Sequence, residues 1–198
     1  GCASALVTFN PHPQEIIHSQ QKISHICTSV HQLKLLEEQG LNEVHLIQFT
    51  SKLSNMVPED FALQFLIKRF DLVKLVIGYD FRFGKNRTGD FKLLEKLSQQ
   101  YNFSLEEINP IQQKGLTVSS SLIRQLIREY RFAEIPQYLG REYSIYGMVE
   151  KGEQRGKKLG FPTANIYPEV TLVLSPGVYI SKIKLAKKNY FGITNAGY

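Results

Sequence analysis

Short apolar runs alternating with stretches of helical spacing constrain this chain more than any other feature. A-L-V-T-F at 5–9, E-V-H-L-I-Q-F at 43–49 and V-K-L-V-I at 73–77 each read as a buried strand. Between them, Val30, Leu33 and Leu36 before Gly40 predict a short amphipathic helix. Pro58, Glu59 and Asp60 suit a first helical turn, from which Phe61, Phe65 and Leu66 continue an apolar stripe towards Phe70. Nearly continuous apolar strands separated by helices require a parallel sheet covered on both faces, so the first part of the chain is expected to be α/β. In such sheets ligands bind beyond the carboxyl ends of the strands, which directs attention to the loops after Phe9, after Ile77 and before a helix near Leu122.

The texture changes after about Gly140. Y-S-I-Y-G-M-V at 143–149, G-V-Y-I-S-K-I-K-L at 177–185 and Y-F-G-I-T-N at 190–195 are β-rich segments separated by Gly, Pro and Lys turns, which predicts antiparallel structure. The connecting stretch 122–140 keeps helical spacing up to Pro136, where an interruption is expected. Cys2 and Cys27 are too few for a disulfide framework or a four-cysteine zinc site, which favours a reducing compartment and a cytoplasmic location. No apolar run approaches the ~20 residues of a membrane span, so no membrane partner is expected. The formal charge of +6, from 24 Lys and Arg against 18 Asp and Glu, suits an anionic partner without choosing between nucleic acid, a membrane surface and a phosphorylated small molecule.

Four constellations carry chemistry. In V-S-S-S-L-I-R at 118–124, Ser120 or Ser121 can cap a helix whose exposed N–H groups suit a phosphate; Arg124 in its first turn opposes the helix dipole and wants an anion to compensate it. An ordinary serine cap is the alternative. In T-F-N-P-H-P at 8–13, Pro11 and Pro13 hold His12 in a backbone of little freedom, as suits a binding group or merely a rigid turn. In G-Y-D-F-R-F-G-K-N-R-T-G-D at 78–90, Asp80 can bond a sugar or a ring edge, Phe81 or Phe83 can pack on a flat ring, and Lys85 and Arg87 can neutralise phosphates. No Gly-Lys-Ser/Thr ends this loop, so it is not a Walker A motif. In G-E-Q-R-G-K-K-L-G-F-P-T-A-N at 152–165, Gly152, Gly156 and Gly160 permit close backbone approach, while Thr163 and Asn165 offer oxygens that suit Mg²⁺ beside phosphate.

These four strings, together with L-G-R-E-Y at 139–143, resemble in order and spacing the bacterial bifunctional riboflavin kinase/FMN adenylyltransferase family, also called FAD synthetase, over nearly the whole chain. The resemblance implies an α/β Rossmann-like nucleotidylyltransferase domain over 1–127, a helical linker at 128–140 and a riboflavin kinase domain on a small antiparallel β-barrel over 141–198. It implies that Ser119, Ser120 and Arg124 contact the ATP phosphates, and that Asn10, Pro11, His12 and Pro13, with Asp80 and Phe81, line the same cleft around FMN and ATP. Thr163 and Asn165 match its Mg²⁺-nucleotide residues, and the loop with Gly152, Gly156, Gly160 and Phe161 would fold over the nucleotide. ATP, riboflavin and FMN are the implied substrates, with Mg²⁺ as cofactor, no nucleic-acid partner and a monomer or weak homo-oligomer.

Many members have Glu at the position of Asn10 and Gly-Arg at Lys157 and Lys158; neither change removes a role that depends strictly on the old residue. Members also carry a His-x-Gly-His loop ahead of the first strand seen here and a glutamate base beyond Tyr198, so these 198 residues alone are expected to complete neither reaction. Two other readings remain. One is a nucleotidylyltransferase for a different phosphorylated small molecule; the other is a basic nucleic-acid-binding protein, disfavoured because Lys and Arg gather in glycine loops instead of interleaving with aromatics.

Overall fold

A computed structural model describes residues 2–17, 24–152, 160–161, 163–186 and 188–197. Its contacts divide the chain into two units, 1–23 with 32–112 and 24–31 with 113–198.

In the first unit, β1 (Ala5–Asn10) runs parallel to β2 (Glu43–Gln48), with Thr8 opposite Leu46. Pro11 ends β1, and Pro13 opens the short helix α1 (Pro13–Ile17), since its missing N–H is not needed at a helix start. Helix α2 (Ser29–Glu38) closes on Gly40, whose φ of +79° is the left-handed value that glycine adopts without strain. After α3 (Ser51–Ser54), Pro58 begins α4 (Pro58–Phe61) as expected, but the helix widens to a π-helix at 62–67, closed by Lys68 N–H on the Leu63 carbonyl at 2.9 Å. Strand β3 (Lys74–Gly78) pairs in parallel with β4 (Ser104–Ile108) across α5 (Phe91–Tyr101), which Asp90 caps by accepting from Leu93 N–H. Alternation does not reveal β4, because S-L-E-E-I leaves all but Leu105 exposed. The core gathers Ile47, Phe61, Leu66, Ile77, Leu94 and Leu97, so both strand pairs and both helices face one interior.

In the second unit, the hairpin β5 (Gln112–Gln113) and β6 (Leu116–Thr117) leads into α6 (Ser120–Arg128) and then α7 (Ile135–Leu139). Pro136 sits in the first turn of α7, so it starts a helix where an interruption was expected. The break comes earlier, at Tyr130, whose φ of +59° follows the last turn of α6. Ile123, Leu126, Ile127, Ile135 and Val173 form the core. The β-rich stretch 143–149 contributes only its end, β7 (Val149–Glu150), antiparallel to β8 (Asn165–Ile166); β9 (Gly177–Leu185) and β10 (Lys188–Ala196) form a hairpin close to the expected bounds. Both segments are antiparallel, as their turn-rich texture predicts.

The expected parallel and antiparallel halves are present on small sheets. Among the described residues every sheet has two strands, so the parallel pairs do not join in one Rossmann-like layer and the antiparallel pairs do not close a barrel. Among the described residues no helix is long and apolar enough to cross a membrane.

Burial isolates one polar atom that bears on stability. The Tyr143 hydroxyl is enclosed without a hydrogen-bond partner among the described residues, and its ring lies 6.1 Å from that of Phe132. Burial, reinforced by the neighbouring Cys27 and Tyr179, pushes its pKa from 10 up to about 12. Because the folded value is the higher one, the associated stability is present below the unfolded pKa and is lost as pH rises through about 12. Tyr143→Phe keeps the ring and removes an orphan hydroxyl, so it is expected to stabilise the protein by about 1 kcal/mol near neutrality and to flatten the alkaline loss. Urea unfolding from about pH 9 to about pH 12 checks both effects; a less stable variant would show that the hydroxyl has a partner.

Candidate functional site

The end of β1 presents the first group. Asn10 is exposed, and its carbonyl accepts from Phe49 N–H at 3.3 Å, extending the β1–β2 pairing by one bond. His12 is exposed between the half-buried Pro11 and Pro13, and its Nδ1 accepts from Gln14 N–H at 3.3 Å. The imidazole thus accepts an N–H at the start of α1 through Nδ1.

The loop after β3 supplies the second group, in the same unit. Asp80 is exposed directly beyond Gly78. Phe83 is buried in the core and is excluded as a ring-stacking surface for a ligand; Phe81 is half-buried and stacks on Phe83 with centroids 5.4 Å apart. Phe83 and Gly89 exchange backbone hydrogen bonds of 3.1 and 2.9 Å, which closes the loop around exposed Lys85 and Arg87. Gly84 is needed here, because its φ is +71° and a Cβ would meet the Pro58 backbone at 2.5 Å.

The third group lies in the second unit, at the start of α6. Ser119 is the cap, accepting from Leu122 N–H at 3.2 Å, so the expectation of Ser120 or Ser121 is displaced by one or two residues. Ser120 becomes the first helical residue, and Arg124 the fifth, which removes the supposed conflict with the first-turn dipole. Ser120 and Arg124 are four residues apart and share a helix face. Arg124 is half-buried, and its Nε donates to the Ser24 carbonyl at 2.9 Å. Nothing in the sequence signals this contact, which spans 100 residues.

The fourth group surrounds β8. Asn165 is half-buried opposite Glu150, and Gly152 approaches so closely that a Cβ there would run into the Asn165 amide. Thr163 and Phe161 are exposed, and Gly160 turns with φ +82° in open space. Gly156, with Lys157 and Lys158, lies outside the described residues. Thr163 and Asn165 offer uncharged oxygens, a donor set that fits Mg²⁺ if phosphate and water complete its shell. Among the described residues no cluster of three or more His, Cys, Asp or Glu competes for a metal ion.

Comparison with known proteins gives two successive matches. Residues 1–122 match the FAD synthetase family and residues 139–198 match riboflavin kinase. A bifunctional riboflavin kinase/FMN adenylyltransferase of Buchnera aphidicola subsp. Schizaphis graminum is 33% identical over 196 residues, covering 98% of this chain and 63% of the relative. The protein of that name from Escherichia coli K12 is 29% identical over 193 residues, covering 97% and 62%. The chain therefore spans less than two thirds of the length of these relatives. A crystal structure titled as a macrolide-efflux protein from Streptococcus pneumoniae superposes with a TM-score of 0.77 at 24% identity, covering 98% of this chain and 64% of that one, and shows likeness of fold alone. With 122 of its 198 residues matched by the FAD synthetase model and 139–198 by riboflavin kinase, the chain belongs to the FAD synthetase family.

Proposed function

We propose that this protein makes flavin cofactors in two steps, phosphorylating riboflavin to FMN and adenylylating FMN to FAD. The observation that carries this reading is the succession on one chain of an FAD synthetase match and a riboflavin kinase match. We assign 1–127 to adenylyl transfer, 128–140 to a linker and 141–198 to the kinase. The parallel direction of β1–β2 and β3–β4 supports a Rossmann-like first domain, and the β9–β10 hairpin supports a small barrel in the second.

In the first reaction the riboflavin 5′ hydroxyl attacks the γ-phosphorus of ATP, its proton leaves to a base, and ADP departs. In the second an FMN phosphate oxygen attacks the α-phosphorus of another ATP, and pyrophosphate departs. Both steps need positioning and neutralisation of charge more than covalent help. Ser119 uses one oxygen lone pair to accept from Leu122 N–H and keeps its O–H to donate to phosphate. Ser120 adds a backbone N–H that no earlier turn of helix satisfies. Arg124, with Nε committed to Ser24, offers its terminal N–H groups to a phosphate edge. Asn10 ends β1, and His12, Asp80 and Phe81 follow β1 and β3, at the carboxyl ends where flavin and nucleotide are expected. In the kinase half, Gly152 gives room for Asn165 to face the nucleotide, and Thr163 adds a second oxygen. Mg²⁺ held there supplies charge neutralisation at the phosphates.

The same reading places the protein in the cytoplasm with small molecules as its partners. Incubating the full-length protein with ATP and either riboflavin or FMN, and separating the products by chromatography, tests it. FMN and FAD are expected respectively; preference for another phosphorylated small molecule over FMN would overturn it.

A further inference from the structure

Residues 24–31 interrupt the first unit and belong to the second, where hydrogen bonds to 169–173, Tyr146 and Arg124 hold them. His25 N–H donates to the Thr171 carbonyl and the His25 carbonyl accepts from Val173 N–H, both at 2.8 Å, forming a parallel bridge centred on Leu172. Four residues later, Ser29 N–H donates to Glu169 Oε1 at 2.7 Å. Between these anchors Thr28 Oγ1 donates to the Tyr146 carbonyl at 3.3 Å and accepts from His31 N–H at 3.2 Å. The residue next to the bridge is Ser24, whose carbonyl holds Arg124 Nε.

We propose that Glu169 is a positioning residue for Arg124, acting through the segment 24–29. A guanidinium is a planar fork, and fixing Nε on one carbonyl decides where its remaining N–H groups point. The Ser24 carbonyl can perform that task only if the segment bearing it is itself held. The bridge at His25 is made of backbone hydrogen bonds; Glu169 provides a side-chain anchor, and it is exposed and outside the core of Ile123, Leu126, Ile127, Ile135 and Val173. Its consequence is a link between the two halves of the sequence: a carboxylate within the riboflavin kinase match, 139–198, sets the geometry of an arginine assigned to adenylyl transfer.

This proposal rests on the assignment of Arg124 to ATP, so the experiment is a double-mutant cycle in the full-length protein, read as kcat/KM for ATP in FAD formation from supplied FMN. Glu169→Ala is expected to lower kcat/KM by about threefold to tenfold when Arg124 is present and to change it less than about twofold in the Arg124→Ala background. Glu169→Gln keeps an oxygen at the same reach and should restore activity, whereas Glu169→Asp keeps the charge, loses the reach and should behave as Glu169→Ala. Because Glu169→Asp is a mild surface change, it also secures the test if Glu169→Ala folds poorly. An equal loss in both Arg124 backgrounds, no loss in either, or failure of Glu169→Gln to restore activity would overturn the proposal. If Arg124→Ala by itself leaves FAD formation unchanged, the assignment of Arg124 fails, and the positioning role fails with it.

Discussion

Asn165→Leu in the full-length protein is expected to reduce riboflavin phosphorylation by about 100-fold or more, the scale of losing one preorganised polar contact in a phosphoryl-transfer site. FAD formation from supplied FMN should persist. The substitution suits the question because β8 is held against β7 through its backbone, with Glu150 opposite Asn165, and a leucine does not disturb that pairing. Leucine keeps the branched four-atom skeleton of asparagine at the half-buried position beside Gly152, while removing the amide that can face a nucleotide or a metal ion. Product chromatography with riboflavin and then with FMN separates the two activities, and circular dichroism checks the fold. Loss of both in a folded variant would point to one shared site.

Arg124→Ala carries the complementary expectation. FAD formation should fall by about tenfold or more, since a lost charge-assisted hydrogen bond costs about 1.5 to 3 kcal/mol, while FMN formation should change little. Part of any general loss would come from the Ser24 carbonyl, which Arg124 Nε also serves. Arg124→Lys separates these roles: a point charge on a flexible stem can approach a phosphate but cannot hold the carbonyl and a phosphate edge at once, so an intermediate rate is expected. Equal loss of both activities, or loss of neither, would remove Arg124 from the ATP site.

The sequence by itself determined the elements whose signal is local. Strands at 5–10, 43–48, 74–78 and 177–185 follow from short apolar or β-branched runs. The family was legible for the same reason, because its motifs are continuous strings placed at strand and helix ends.

Whatever depends on contacts between distant residues was decided only by the tertiary structure. Phe81 and Phe83 are equivalent on paper, yet Phe83 is taken by the core and Phe81 remains half-exposed. The serine run directs the cap to Ser120 or Ser121, until the extended backbone at Ser119 gives it to that residue. The parallel partner of β3 hides in the acidic S-L-E-E-I, because pairing through backbone groups asks little of side chains at exposed positions. Tying Arg124 to Ser24, and Ser29 to Glu169, required bringing together residues 100 and 140 positions apart, and no periodicity or propensity encodes a hydrogen bond of that span.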